Sequence, residues 1–408
     1  MAVTGSITTR FIDEKGLDLG KTLIEKDYLI SVYPNLLNQF DTPMLMTWGY
    51  NTYGQLGDNT IVTKSSPVQT VAYGANWKQI SAGSNICAGI KTDGTLWTWG
   101  RNDLGQLGDN TIVHKSSPIQ TIAFGTNWNQ VYSGKQNTIA LSPSTAAIKT
   151  DGTLWLWGYN IYGQLGDNSI AHKSSPVQTV AFGTNWKQVS CGDGHTACIK
   201  TDGTLWTWGR NDLGQLGDNT IAKKSSPVQT IAYGTNWKQV SCGYYASAAI
   251  KTDGTLWTWG YNSNGELGDN TATAHKSSPV QTIAFGTNWK QVSCGFYNTA
   301  AIKTDGTLWI WGFNQYGQLG DSTSVSKSSP VQTIAYGTNW KQVSEGRLHT
   351  AAIKTDGTLW CWGSNDGQVG DNTASFGRSS PLQTILYGNN WKQISSCNFN
   401  AAIKDGDF

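Results

Sequence analysis

Residues Asn236 to Thr287 read NWKQVSCGYYASAAIKTDGTLWTWGYNSNGELGDNTATAHKSSPVQTIAFGT. At the centre, Asp253-Gly254 stands between two alternating apolar runs, the short-range signature of a tight β-hairpin. In Leu256-Trp257-Thr258-Trp259 a period of two puts both indoles on one face and Leu256 and Thr258 on the other. The flanking NWKQVSCG and KSSPVQT add two more β-prone stretches, giving four short strands. Pro279, just before Val280, suits the start of an outer edge strand, where a missing N–H does no harm.

The Trp-Gly that ends the third strand recurs with its glycine at 49, 100, 158, 209, 260, 312 and 363. The steps are 51, 58, 51, 51, 52 and 51 residues, so one unit carries an insertion of about seven, around Lys135 to Ser144. Four antiparallel strands, seven times over and without helical periodicity, predict an all-β seven-bladed propeller spanning residues 44–408. A ring must close. Asn390 to Lys404 gives the first two strands of a blade, and Met44 to Gly49 with Ser66 to Thr70 gives the missing two, so both ends of the repeat array build the seventh blade. Two tryptophans per third strand and one per Asn-Trp site make 21 for seven blades; the chain has 20, because Met46 stands where one is due. Every indole is thereby assigned to blade packing.

The net charge of +2 gives no bulk attraction to nucleic acid. No apolar run reaches the roughly 18 residues of a membrane-spanning helix. Seven cysteines, an odd number without CxxC spacing, indicate reduced thiols rather than a disulfide framework or a zinc site. Neither a metal nor a cofactor is expected.

Repeats reading DGTLWTWGxNxxGQLGDN, then SSPVQ, then a glycine and a variable tip ending in His-Thr or a similar pair resemble those of the regulator of chromosome condensation family, over residues 44–408. The resemblance implies the same propeller. The family that it resembles includes a guanine-nucleotide exchange factor for a small GTPase, a plant ultraviolet photoreceptor and many repeat proteins with unassigned roles. The exchange factor implies a basic chromatin arm, but residues 1–43 set Arg10, Lys15, Lys21 and Lys26 against Asp13, Glu14, Asp18, Glu25, Asp27 and Asp41. The photoreceptor implies Gly-Trp-Arg-His-Thr tips, whereas the nearest tip here, Gly346 to Thr350, lacks the tryptophan. The nearly identical repeats and the leader DLGKTLIEKDYLISVYPNLL are similar to propellers of this family encoded by bacteriophages, which implies a virion component assembled in host cytoplasm.

Repeats within one chain can be compared with one another. Strand alternation puts the Asp-Gly hairpins and the Gly-Thr-Asn-Trp connections on one face of the disc, where they repeat almost letter for letter. The other face carries the Gly-rich loops and the inner tips: Ser84-Asn85, Lys135-Gln136, Asp193-Gly194, Tyr244-Tyr245, Phe296-Tyr297, Arg347-Leu348 and Asn398-Phe399. Exposed aromatics and arginine anchor interfaces, so Tyr244, Tyr245, Phe296, Tyr297 and Arg347 are the candidate binding residues for a protein or glycan, with His195 and His349 added under the exchange-factor reading. Loop drift is the alternative source of such variation. Arg101 to Leu104 returns as Arg210 to Leu213, which suggests copying of a two-blade unit.

No catalytic constellation is present. His114, His172 and His275 precede Lys-Ser-Ser on outer loops, and His195 and His349 sit in tips. Cys191, Cys242 and Cys294 share one inner-strand slot, filled elsewhere by Ala82, Ser133, Glu345 and Ser396; small-residue packing near the axis explains them better than a soft metal. Gly54 to Asp58 and its copies lack the Lys-Ser/Thr of a phosphate-binding loop.

The leader, residues 1–43, carries Leu23, Ile24, Tyr28, Leu29 and Val32 at approximate helical spacing, ended before Tyr33-Pro34, and this short helix needs a surface to pack on. Gly5 to Phe11 could instead add as a strand to a partner sheet. The expectation is a non-enzymatic structural or recognition protein, docked on other virion or assembly proteins by its leader, with no nucleic-acid partner and no membrane insertion. The alternatives are an exchange-factor-like regulator of a small GTPase and a lectin-like glycan binder.

Overall fold

A computed structural model describes residues 43–405, apart from 72–75, 123–124, 136–142, 182, 233, 284–285, 335–336, 375–376 and 387. The leader's expected helix and strand, and most of the insertion after Lys135, lie outside these residues. The described chain forms seven four-stranded antiparallel sheets, the blades of one closed propeller. A representative blade runs Trp237–Cys242, Ala246–Lys251, Leu256–Gly260 and Lys276–Gln281. The closing blade takes Trp391–Ser396 and Phe399–Lys404 from one end and Met44–Gly49 and Lys64–Gln69 from the other, with Met44 opposite Lys404 and Gly49 opposite Phe399.

Two boundaries differ from the sequence reading. The outer strand of the closing blade starts at Lys64 rather than Ser66, and Pro279 lies inside its strand rather than at the start. The reason is a bulge: Gly260 pairs with Lys276 and Thr258 with Val280, so Ser277 to Pro279 bow out of the ladder and the proline forfeits no ladder bond.

Each hairpin is tied by its own sequence. Asp253 accepts bonds from the backbone N–H (2.9 Å) and the hydroxyl (2.7 Å) of Thr255, and that hydroxyl accepts from Nε1 of Trp257 at 2.9 Å. Gly254 adopts a φ of +81°, and a Cβ there would fall 2.1 Å from the Thr287 carbonyl. The Lys251 ammonium lies 4.9 Å and 4.5 Å from the ring centroids of Trp237 and Trp257, and equivalent lysines do the same around the ring. In the closing blade Lys404 lies 5.6 Å from the Trp391 ring, and Met46 stands where the second indole would be.

The two sides of a blade differ, and that difference stacks the ring. Trp237, Val240 and Trp259 pack on Ala197, Ile199 and Leu205 of the preceding blade, while Ala248, Ile250 and Leu256 receive Trp289 and Trp311 of the next. Trp259 is fully buried and donates from Nε1 to the Gln215 carbonyl of the preceding blade at 2.9 Å. At the axis, glutamines lace the innermost strands together. Gln239 donates to the Val292 carbonyl (3.1 Å) and accepts from the Val292 N–H (3.0 Å), an exchange repeated from blade to blade up to Gln393 and Ile80 across the closure.

One blade breaks this pattern at the axis. Glu345 occupies the slot held by the buried Cys191, Cys242 and Cys294, is itself fully buried, and accepts bonds from Asn298 and from Thr350. Lys135, at the tip of the second blade, crosses the axis to donate from Nζ to the carbonyls of Cys294 (2.5 Å) and Glu345 (2.9 Å). Burial pushes the Glu345 carboxyl up to about 8, and burial holds the Lys135 ammonium below its ordinary range.

Two outcomes follow for stability. Trp259→Ala is expected to cost about 3–5 kcal/mol in urea unfolding, through the cavity it leaves between blades while the Gln215 carbonyl keeps the Ser247 hydroxyl as a donor, and the half-buried Trp257→Ala less than half of that. Equal losses would contradict the packing roles assigned here. Because Glu345 holds its proton more tightly folded than unfolded, its contribution is fully present below an ordinary carboxyl value and drains away as pH rises toward about 8. Stability of the parent relative to Glu345→Gln is therefore expected to fall between pH 5 and 8 by up to ~1.4 kcal/mol per pH unit, and a flat difference would show that the carboxyl is not perturbed.

Candidate functional site

The variable face is built from two kinds of loop. The Gly-rich loop after each third strand is organised by a buried asparagine: Asn262 accepts from the Leu267 N–H at 3.0 Å and donates to Asp269 (3.1 Å) and to the Thr271 hydroxyl (2.9 Å). The glycines let this loop approach the next blade; a Cβ on Gly217 would sit 2.9 Å from Nε1 of Trp259. The outer histidines belong to the same scaffold. Nδ1 of His114, His172 and His275 accepts the backbone N–H of Asn102, Asn160 and Asn262, and His275 also stacks on Tyr261 at 4.9 Å.

The inner tips touch one another around the channel mouth. The Tyr244 N–H donates to the Gly295 carbonyl at 3.0 Å, the Asp193 N–H to the Tyr244 carbonyl at 3.2 Å, and the Arg347 N–H to the Cys397 carbonyl at 2.9 Å. This contact decides which tip residues are open. Tyr244 and Phe296, read from sequence as exposed, are buried, stacked at 5.3 Å over the axis with Cys397 beneath. Tyr245 and Tyr297, one residue further on, are partly exposed, and Arg347 is exposed.

His195 and His349 are likewise closed off from solvent rather than displayed. Their Nε2 atoms meet Ser247 Oγ (3.0 Å) and Asn400 Oδ1 (2.9 Å) in the following blade, so they join blades. Burial lowers them to about 3 and about 4, which keeps both imidazoles neutral at physiological pH. Burial also raises the Cys191 and Cys294 thiols, to about 12 and about 11, which keeps them protonated. Among the described residues no group of three His, Cys, Asp or Glu side chains is arranged to hold a metal ion.

The feature that tip variability alone did not reveal is a crescent of rings joining several blades. Arg210 lies 5.0 Å from the Tyr162 ring and 4.4 Å from the Tyr245 ring, two blades apart. Its guanidinium donates to Asp193 (3.1 Å), to Asp212 (2.8 Å) and to the Tyr245 hydroxyl (2.8 Å), which in turn donates to the Tyr244 hydroxyl at 2.9 Å. From Tyr245 the series continues through Tyr261 (6.1 Å), Tyr297 (6.3 Å), Phe313 (6.0 Å) and Tyr316 (6.3 Å). Tyr316, 44% exposed, ends it at the rim. The signal was in the sequence. The residue after each third-strand glycine is Arg210, Tyr261 or Phe313 in these blades, next in space to the tip of its own or the following blade.

The comparisons with known proteins agree with this architecture. The RCC1-like domain model matches residues 142–407, and models of the regulator of chromosome condensation (RCC1) repeat match residues 45–90, 93–141 and 77–106. The chain is 31% identical over 309 residues to the ultraviolet-B receptor UVR8 of Arabidopsis thaliana, covering 74% of this chain and 69% of that protein. It is 29% identical to the mitochondrial RCC1 domain-containing protein RUG3 of the same plant, over 81% of this chain and 79% of that one. Human E3 ubiquitin-protein ligase HERC2 matches 85% of this chain at 26% identity, but only 7% of its own length is involved. Two solved structures share the fold: human WBSCR16, with a TM-score of 0.79 at 19% identity over 90% of this chain and 100% of that one, and Prp20p of Saccharomyces cerevisiae, with 0.80 at 18% over 90% and 92%. With seven repeats closed into one ring and those models matching across them, the chain belongs to the regulator of chromosome condensation (RCC1) repeat family.

Proposed function

We propose that this chain is a non-enzymatic recognition protein that holds a protein partner on its variable face. The observation that carries the reading is the crescent from Tyr162 through Arg210, Tyr245 and Tyr297 to Tyr316. Tyrosine and arginine are the side chains that most often anchor interfaces, and rings already fixed by one another lose little freedom on binding. Arg347 adds an exposed cation beside the mouth. The names of similar proteins point the same way: UVR8 is called a receptor, and Prp20p was solved together with a study of its binding to Gsp1p and histones.

The finer reading is a phage virion component that assembles in host cytoplasm, anchored through residues 1–43 and displaying this face. It is supported by the near-identity of the repeats and by the apolar spacing of Leu23, Ile24, Tyr28, Leu29 and Val32. A glycan is the second occupant that the face favours, because the partly exposed rings of Tyr245 and Tyr297 suit the apolar faces of sugars. The exchange-factor reading loses the two histidines it drew on, both of them buried.

Density-gradient sedimentation of lysate from the native source tests the anchor and the face together. The full chain is expected with large particles at fixed stoichiometry, the chain lacking residues 1–43 at the top, and Tyr245→Ala/Tyr297→Ala still with the particles but without the partner of the face. A full chain that stays at the top contradicts the virion reading. Glycan-array binding abolished by Tyr245→Ala would move the assignment to sugars, and accelerated nucleotide release from a small GTPase would move it to exchange.

A further inference from the structure

The hairpin face, opposite the crescent, carries a charge arrangement that the protein-binding reading does not use. The second residue of each innermost strand is a lysine in six blades, Lys78, Lys187, Lys238, Lys290, Lys341 and Lys392, and Asn129 in the remaining one. All are exposed. Because these strands line the axis, their ammonium groups gather at the channel mouth on this face. A shallow, open depression of about 440 Å³ lies there, lined by Lys238, Gln239, Lys290, Gln291, Lys341 and Gln342.

The lysines of this mouth differ from those at the rim. Lys64, Lys115, Lys173, Lys224, Lys276 and Lys327, which start outer strands, each sit within 3.5–4.0 Å of the aspartate of their own Gly-rich loop. At the mouth, Lys392 pairs with Asp405 at 2.7 Å and Lys78 donates to Asn129 at 3.2 Å. Among the described residues, Lys187, Lys238, Lys290 and Lys341 form no ion pair, although they occupy four successive blades. Like charges that converge on a concavity without counter-charges repel one another and focus a positive potential into it.

We propose that this mouth is a binding site for a compact polyanion of the polyphosphate class, with Lys238, Lys290 and Lys341 as its principal contacts and Lys187 beside them. The surroundings select a small ligand. The Asp-Gly hairpins place Asp202, Asp253, Asp305 and Asp356 on the same face, outside the lysines, because the hairpin joins the second and third strands of a blade. A duplex or a flat anionic bilayer laid on the disc meets those carboxylates too. A compact anion seated on the axis meets only the ammonium groups, each with three donors for phosphate oxygens. The depression is shallow and open to solvent, so a small anion reaches the ammonium groups directly.

The test uses inorganic tripolyphosphate as the probe, titrated calorimetrically into the full chain at low and at physiological ionic strength. Saturable binding that weakens with salt is expected. Lys238→Gln/Lys290→Gln/Lys341→Gln should lose at least ~10-fold in affinity and Lys290→Gln alone ~3-fold. The control Ile112→Glu/Ile170→Glu/Ile221→Glu makes the same change in net charge at exposed positions on the variable face, and should bind within ~2-fold of the parent at physiological ionic strength, where distant charges are screened. Thermal melting checks that each variant folds. Absence of saturable binding by the parent, or equal weakening in both triple variants, overturns the site. Tighter binding of duplex DNA or of phosphatidylserine vesicles than of tripolyphosphate also overturns the compact-ligand assignment.

Discussion

In every blade the same indole N–H is bonded to the neighbouring blade, alongside the axial glutamine bridges. Trp48, Trp99, Trp157, Trp208, Trp259, Trp311 and Trp362 all donate from Nε1 to a carbonyl in the Gly-rich loop of the preceding blade, at 2.8–2.9 Å. That bond requires a glycine two residues beyond the accepting carbonyl, because a Cβ there would press on the indole. It requires a buried asparagine to set the loop, and a leucine or valine after the acceptor to fill the core. The recurring Gly-Gln-Leu-Gly-Asp-Asn is thus a socket for a tryptophan. A loop of that composition has no phosphate left to explain.

The requirement repeats in every blade, so it accounts for most of the letters the repeats share. Asp-Gly-Thr-Leu-Trp is a chain of side-chain bonds within a hairpin, and Trp-Lys-Gln supplies an inter-blade indole, an axial charge and an axial amide bridge. Residues that differ between blades lie where none of these bonds reaches. They cluster at the inner tips, at the position after the third-strand glycine and in the single axial slot of Glu345. The crescent assembles from the first two of these sets, with Tyr162 and Tyr316 of the Gly-rich loops at its ends, which is why a protein-recognition role is placed there and not on the hairpin face.

The strand count, the hairpins, the Met46 vacancy in the tryptophan series and the closure by both termini were legible because each depends on spacing within a repeat. The bulge at Pro279 was not, since a proline inside an irregular outer strand reads like one at its start. Burial at the tips was also hidden. Tyr244 and Tyr245 are adjacent letters, and only the contact between neighbouring tips turns one inward and leaves the other open. His195 and His349 looked like surface candidates for the same reason. The bond from Lys135 to the Glu345 backbone carbonyl joins residues 210 apart in sequence, and the sequence marked the place only by an acidic residue in a slot of small side chains and an insertion that begins with a lysine.

The two faces therefore divide the work: one is repetitive and charged at its centre, the other is varied and ringed with aromatic side chains. The most direct measurement of that division is site-specific photocrosslinking in the native source, with a benzophenone amino acid placed at Tyr316 or at the exposed Thr287 on the opposite face. The account predicts one stoichiometric protein adduct from position 316 and none from position 287. An adduct from position 287 alone would contradict it, and would move the interface to the hairpin face.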